Sequence, residues 1–279
     1  MAYPFASHFV DLHAGRVHYA DEGAGEVLLF VHGTPTYSYE YRHLIQAFRG
    51  THRCIAPDHL GFGLSARPAH FEYSPEAHAA VLDAFVARLG LQRYTLVVHD
   101  FGGPIGLPLC LRHPEQVTRL ILLNTWMWPF DDDPKMRRRA AVAGGPVGRW
   151  MYRHLNFSLK VLMPSVYGRR AALTPEMHRQ YLDIFTDKDA RVLVLHALAR
   201  ALNGSRDFYA SLWAERDRLQ GRPAAIIWGL KDSAFTPSQL ARWRTVLPDA
   251  RVFELPEAGH WPHEEDPDRV IDIMKQVLG

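Results

Sequence analysis

Cysteine is scarce in this chain. The two cysteines among 279 residues, Cys54 and Cys110, give no disulfide framework and no metal-ligand spacing, and both read as small buried hydrophobes. Long hydrophobic runs are also missing. No stretch of about eighteen apolar residues occurs, and Met1 to Val10 has no long apolar core, so neither a spanning helix nor an export signal is indicated and a cytoplasmic protein is expected. Charge of one sign is absent too: 32 Lys and Arg stand against 30 Asp and Glu, a net charge of +2. That balance argues against nucleic acid and against an acidic membrane surface as partners, and the short run Arg137-Arg138-Arg139 reads as a solvated face. There is no internal repeat and no low-complexity segment. What remains, 47% apolar and 22% charged, suits one large α/β domain carrying an insertion, or two small domains.

The stretch that organises the chain is Leu96-Val97-Val98-His99-Asp100-Phe101-Gly102-Gly103, an apolar β-branched run that stops at a carboxylate and passes into two glycines. It reads as a strand, a sharp turn and a helix, with the turn residue strained and exposed at the strand's carboxyl end. Taken alone, Asp100 is equally at home as a helix cap or turn residue. As an elbow residue it becomes a carboxylate nucleophile, which attacks sp³ carbon by displacement and leaves an ester for water to open. A serine-esterase reading fails because the elbow offers no hydroxyl.

Around this stretch strands and helices alternate. Short segments at Val10–Leu12 and Arg16–Ala20 flank Ala14-Gly15, a hairpin signal, and lead to the buried run Val27–Val31. That run ends at His32-Gly33-Thr34-Pro35, with a candidate cis bond at Pro35, before a helix from about Tyr37 to Phe48. A strand at Arg53–Asp58, a glycine-rich loop at Gly61–Ser65 and a helix from Ser74 to about Leu89 follow. Beyond the elbow, a helix from Gly103 to His113 is expected to be kinked or shortened at Pro108, and Arg119–Asn124 supplies another strand. From Trp126 to about Arg222 the strand signal gives way to helical spacing. The rhythm resumes with a strand at Ala224–Gly229, a helix at Pro237–Val246, a strand at Arg251–Leu255 and a closing helix at Pro267–Leu278. The expected organisation is a core at residues 1–128 and 222–279 interrupted by a helical cap at 129–221.

In a mainly parallel sheet the active residues gather at the carboxyl ends of the strands. Asp232 follows the penultimate strand and His260, after Gly259, follows the last. A strand-end histidine can take a proton from water if a carboxylate holds its other nitrogen. Asp232 also reads as a cap for the next helix.

Six segments together resemble haloalkane dehalogenases, α/β-hydrolases with an aspartate nucleophile. They are His32–Thr36, Asp58–Ser65, His99–Gly103, Asn124–Pro129, the Asp232 loop and the His260 loop. An acid after the penultimate strand is similar to one subgroup of the family. The resemblance implies an α/β-hydrolase fold, a mostly parallel sheet flanked by helices with an inserted helical cap, and two-step hydrolysis of a small apolar halogenated substrate by water, releasing halide. Asp100 would be the nucleophile, His260 the base, Asp232 its orienting acid, and the backbone N–H groups of Thr34 and Phe101 the oxyanion hole; no cofactor or metal is implied. The chain departs from the family at the halide site, where a tryptophan after the nucleophile and an asparagine in the first loop are replaced by Phe101 and Thr34. The candidate replacements are Trp126 and Trp128 at the cap entry, Trp150 and Trp213 within it, and the Thr34 hydroxyl. Two alternatives stay open. Epoxide hydrolases share this core and polarise the epoxide oxygen with two cap tyrosines, for which Tyr152, Tyr167, Tyr181 and Tyr209 are available; a non-catalytic ligand-binding homologue is the other.

Overall fold

The computed structural model describes residues 3–279. Eight strands form one sheet: β1 (His8–Leu12), β2 (Gly15–Glu22), β3 (Val27–Val31), β4 (Arg53–Pro57), β5 (Tyr94–Asp100), β6 (Val117–Thr125), β7 (Ala224–Gly229) and β8 (Arg251–Leu255). Their spatial order is β1-β2-β4-β3-β5-β6-β7-β8. The hairpin β1–β2 is antiparallel and β2 joins β4 antiparallel, while every pair from β4 to β8 is parallel. Central strands covered on both faces need unbroken apolar sequence. β5 accordingly has no exposed residue, whereas the edge strand β8 leaves Arg251 and Glu254 in water.

The period-2 alternation divides the core. Leu96 and Val98 of β5 join Leu120, Leu122 and Ile226 on one face, where helices α2 (Pro75–Arg88) and α3 (Gly102–Arg112) pack. Val97 joins Phe30, Ile121, Leu123 and Ile227 on the other, under the helices Arg42–Phe48 and Pro267–Leu278. Cys54 and Cys110 are buried and unpaired. Between Thr125 and Ala224 no strand occurs among the described residues. That span holds the helical insertion, running from Pro134–Gly144 through Pro146–Leu155 to Arg206–Ala214 and beyond.

Several expectations change in detail. The helix placed at Tyr37–Phe48 is divided into a 3₁₀ turn, Ser38–Tyr41, and an α-helix, Arg42–Phe48. The helix α3 is not shortened at Pro108 but runs to Arg112. Proline costs a helix interior about 3 kcal/mol, but every residue from Gly102 to Leu111 is buried. Burial of each large apolar side chain contributes about 1.5–3 kcal/mol, so packing outweighs the missing hydrogen bond. Ser74 caps α2 as expected, its Oγ accepting the Ala77 N–H at 3.2 Å. No helix is long and apolar enough to cross a membrane.

Packing is tight where α3 leaves the sheet. A Cβ added to Gly102 would lie 2.0 Å from the Val31 carbonyl oxygen, and one added to Gly204 would meet nothing within 4 Å. Gly102→Ala should therefore lower the unfolding free energy in urea by about 2 kcal/mol or more, while Gly204→Ala, at a helix end with open space, should be neutral or raise it by a few tenths. Equal midpoints for the two variants would contradict this account of the elbow.

Candidate active site

Asp100 ends β5 with φ 50°, in the left-handed region that favours glycine. Three glycines permit it. A Cβ on Gly33 would sit 2.4 Å from the Asp100 Cβ, and one on Gly103 would sit 2.0 Å from the Thr125 Oγ1. The strained turn is tied down by Thr125, whose hydroxyl donates to the Asp100 carbonyl at 2.6 Å. The carboxylate thus projects from the sheet with one oxygen already held: the Thr34 N–H donates to Oδ1 at 2.8 Å. Thr34 leads into a cis bond to Pro35, as expected for that loop.

The other oxygen, Oδ2, faces His260 Nε2 at 3.4 Å. His260 Nδ1 lies 2.7 Å from Asp232 Oδ2, so the structure brings the three residues together from β5 and the loops after β7 and β8. All three are buried. Burial alone would push the His260 imidazole down, but Asp232 and then Asp100 reverse this and raise it to about 10. Asp232 and Asp100 thus both favour the charged form of the ring between them.

Two residues that the sequence reading gave no role hold this line in place. Asn124, at the end of β6 with φ 26°, donates from Nδ2 to Asp232 Oδ2 at 2.9 Å and accepts the Gly229 N–H at 2.9 Å. Its strand-end position was the available signal. Glu40 lies fully buried behind His260. It accepts from the Thr36 hydroxyl and from Trp261 Nε1 at 3.3 Å, and lies 3.2 Å from His99 Nδ1. His99 in turn donates from Nε2 to the His260 carbonyl at 2.8 Å. One carboxylate thereby links the first loop, the elbow and the histidine loop, a convergence invisible from spacing because its members lie up to 221 residues apart.

The tryptophans separate. Trp126 is fully buried, its ring edge-on to Phe101 at 4.8 Å and near Phe235, which itself lies 5.5 Å from His260. Its indole N–H has no partner among the described residues. Trp128 is not brought to the nucleophile: it packs against Trp213 and Trp243 at 5.5 and 5.1 Å beneath Arg242. Turning it toward Asp100 would break that stack. Trp150 is exposed, and Trp213 belongs to the Trp128 stack. The Phe101 N–H does not bond the carboxylate among the described residues, and the Phe101 ring is the surface on which Trp126 rests.

The tyrosines separate as well. Tyr167 and Tyr181 donate to Glu264 at 2.5 and 2.6 Å, and Glu264 also pairs with Arg42. Tyr209 and Tyr152 are buried and feel the Asp100 charge. Burial first, then Glu76 and Asp100, pushes the Tyr209 phenol well above its ordinary range, and its hydroxyl has no partner. Burial and Asp100 push Tyr152 up to about 12 despite a hydrogen bond with Ser158.

The His260 proton provides a test. With a folded value of about 10 against about 6.5 unfolded, this group stabilises the fold fully below pH 6.5, and the contribution is lost as pH rises through about 10. In Asp232→Asn the larger raising cause is gone, so the His260 ring should titrate at clearly lower pH in NMR spectra, whereas the native ring should show no titration between about pH 6 and 8. A native His260 titrating near neutrality would contradict the double-carboxylate clamp.

Residues 26–267 match the family model described as alpha/beta hydrolase fold. The chain is 37% identical over 279 residues to haloalkane dehalogenase 2 of Mycobacterium tuberculosis, covering 99% of this chain and 96% of that protein. It is 31% identical over 291 residues to the cis-3-alkyl-4-alkyloxetan-2-one decarboxylase of Shewanella oneidensis, covering 99% and 89%. The crystal structure of haloalkane dehalogenase DbeA from Bradyrhizobium elkani superimposes with a TM-score of 0.85 at 24% identity, covering 98% of each chain, and shows the shared fold. Together with the eight-stranded sheet and its helical insertion, these matches establish that the chain is a hydrolase of the α/β-hydrolase fold and belongs to the haloalkane dehalogenase family.

Proposed function

We propose that the protein hydrolyses haloalkanes to alcohol and halide through an ester on Asp100, with residues 129–221 acting as the cap that encloses the substrate. The observation that carries the leaving group is the buried, unpartnered indole N–H of Trp126 beside Phe101. A buried donor without a partner costs about 1–3 kcal/mol, a cost removed when an anion accepts from it. Trp126 would thus supply the donor that Phe101 cannot.

In the first step Asp100 Oδ2 attacks the carbon bearing the halogen, the carbon–halogen bond breaks, and halide leaves with the bonding pair. Before this step His260 is held protonated by two carboxylates. Ester formation removes the Asp100 charge and with it one of the causes of that high value, so His260 can give up its proton to solvent and become a base. In the second step Nε2 takes a proton from water as its oxygen adds to the Asp100 carboxyl carbon, and charge develops on Oδ1, where the Thr34 N–H already points. Collapse releases the alcohol, protonated by His260, and restores the carboxyl group. Asp232, fixed by Asn124, keeps the imidazole aligned throughout.

A second reading is favoured by one specific observation. Tyr152 and Tyr209 both lie buried within the field of Asp100, while Tyr167 and Tyr181 are engaged elsewhere. Two phenols opposite a carboxylate nucleophile suit an epoxide oxygen, and opening the ring would consume the same Asp100 and His260 chemistry.

The deciding experiment offers bromo- and iodoalkanes, alkyl epoxides and a cis-3,4-dialkyl oxetan-2-one to the purified protein, with Asp100→Asn as blank. Halide release that depends on Asp100 is expected, with Trp126→Phe lowering kcat/KM by about 10- to 100-fold, the value of one charge-assisted hydrogen bond. His260→Gln should release one equivalent of halide and stop at an ester detectable as a mass increase on Asp100. Diol formation abolished by Tyr209→Phe, without halide release, would replace the first reading by the second.

A further inference from the structure

Charge is distributed unevenly along the chain. Residues 134–175 contain nine of the 32 Lys and Arg and none of the 30 Asp and Glu, leaving 23 basic against 30 acidic residues elsewhere. The aspartates just before this stretch are engaged: Asp131 with Arg206, Asp132 with Arg242, and Asp133 as the cap accepting the Met136 N–H. Arg153 is matched by Asp189. Arg137, Arg138, Arg149 and Lys160 are exposed and form no ion pair among the described residues. The net charge of +2 is an average that conceals this.

Apolar exposure falls in the same place. Eight large hydrophobic side chains are exposed among the described residues, and six of them lie between Val142 and Leu162. Val147 is 63% and Trp150 56% exposed. On the helix Pro146–Leu155, Val147, Trp150 and His154 follow one another at i, i+3 and i+7 and face water. Gly148 and Tyr152 point inward at i, i+4, with Tyr152 reaching the field of Asp100, and Arg149 and Arg153 run along the remaining flank. The helix that turns Tyr152 toward the field of Asp100 on its inner side is apolar and basic on its outer side.

We propose that this face docks peripherally on an anionic phospholipid bilayer, with Trp150 and Val147 at the boundary of headgroups and acyl chains and the unpaired arginines on the phosphates. Tryptophan, aliphatic side chains and the unpaired cations Arg137, Arg138, Arg149 and Lys160 match a surface that is apolar beneath and negative above. A second copy of the same face is a poor occupant, because two-fold packing would set like charges against each other. Docking would bring the helix that carries Tyr152 against the phase in which apolar compounds dissolve.

The test floats the intact protein with vesicles of phosphatidylcholine alone and with about 30% phosphatidylglycerol, at low salt and at about 0.5 M NaCl. Binding is expected only with the anionic vesicles at low salt. The triple variant Arg137→Glu, Arg138→Glu, Arg149→Glu should bind at least tenfold more weakly, and Val147→Ser with Trp150→Ser should weaken binding and remove the blue shift of indole emission. Native far-ultraviolet circular dichroism and unchanged thermal unfolding certify the variants, so the result does not depend on which leaving group the active site takes. Native protein that stays in the aqueous fraction, binding indifferent to both sets of changes, or concentration-dependent dimerisation abolished by the Val147/Trp150 variant in place of vesicle binding would each overturn the proposal.

Discussion

The turn at Asp100 is the constraint from which the rest follows. A carboxylate can stand at the end of a buried strand in left-handed conformation only if its neighbours leave it room: Gly33 leaves space for the Asp100 side chain, while Gly102 and Gly103 let α3 lie against Val31 and Thr125. The close approach of β3 and α3 to β5 is thus a requirement of the nucleophile. It also fixes the Thr34 N–H against Oδ1, so the donor stands in place before any charge develops there. Electrostatic stabilisation of this kind needs no rearrangement at the moment of reaction.

Behind the nucleophile the molecule buries more polar groups than one triad needs. Glu40, His99, Trp261 and Thr36 form one network and Glu264, Arg42, Tyr167 and Tyr181 another, both reaching the helix or loop that follows His260. A buried charge is tolerated only when its oxygens are all used, and Glu264 accepts from three donors. Since Tyr167 and Tyr181 belong to the insertion, this second network fastens the insertion to the sheet beside the histidine loop. Asn124 does the corresponding work for Asp232. The position of His260 is therefore set by groups on several separate segments, which explains how a loop holds a histidine to hydrogen-bonding precision.

Strand-and-helix order was legible in the sequence because it rests on local pattern: Val27–Val31 and Ala224–Gly229 are apolar runs, and Ser74 is a cap with Pro75 behind it. Asp100, Asp232 and His260 were legible for a related reason, each standing where a strand ends. Pro108 misled because propensity is local while the burial that overrides it is tertiary. Glu40 was hidden among aromatic residues, and nothing near it in the chain announces its partners. Trp126 and Trp128, two residues apart at the end of β6, could not be told apart from sequence: one rests on Phe101 and the other joins a stack with Trp213 and Trp243.

The departure at Phe101 has a consequence for the pocket as a whole. An indole at that position would hold its N–H within one residue of Asp100, whereas here the unpartnered indole among the described residues, Trp126, lies edge-on to Phe101, and a phenol, Tyr209, stands unpartnered 6.0 Å from the Trp126 ring. Two buried neutral donors of different geometry, without partners among the described residues, thus lie near one another. A halide accepts from any direction and is served by either. An epoxide oxygen is bonded to two carbons and accepts along fixed lone-pair directions, which places tighter demands on the phenols than on the indole. Under the proposed function, selectivity between these leaving groups would depend on the insertion, since Tyr152 and Tyr209 ride on its helices while Trp126 follows β6 directly. Small shifts of those helices would move the phenols relative to Asp100 and leave the indole in place, so leaving-group preference can change without alteration of the catalytic line itself.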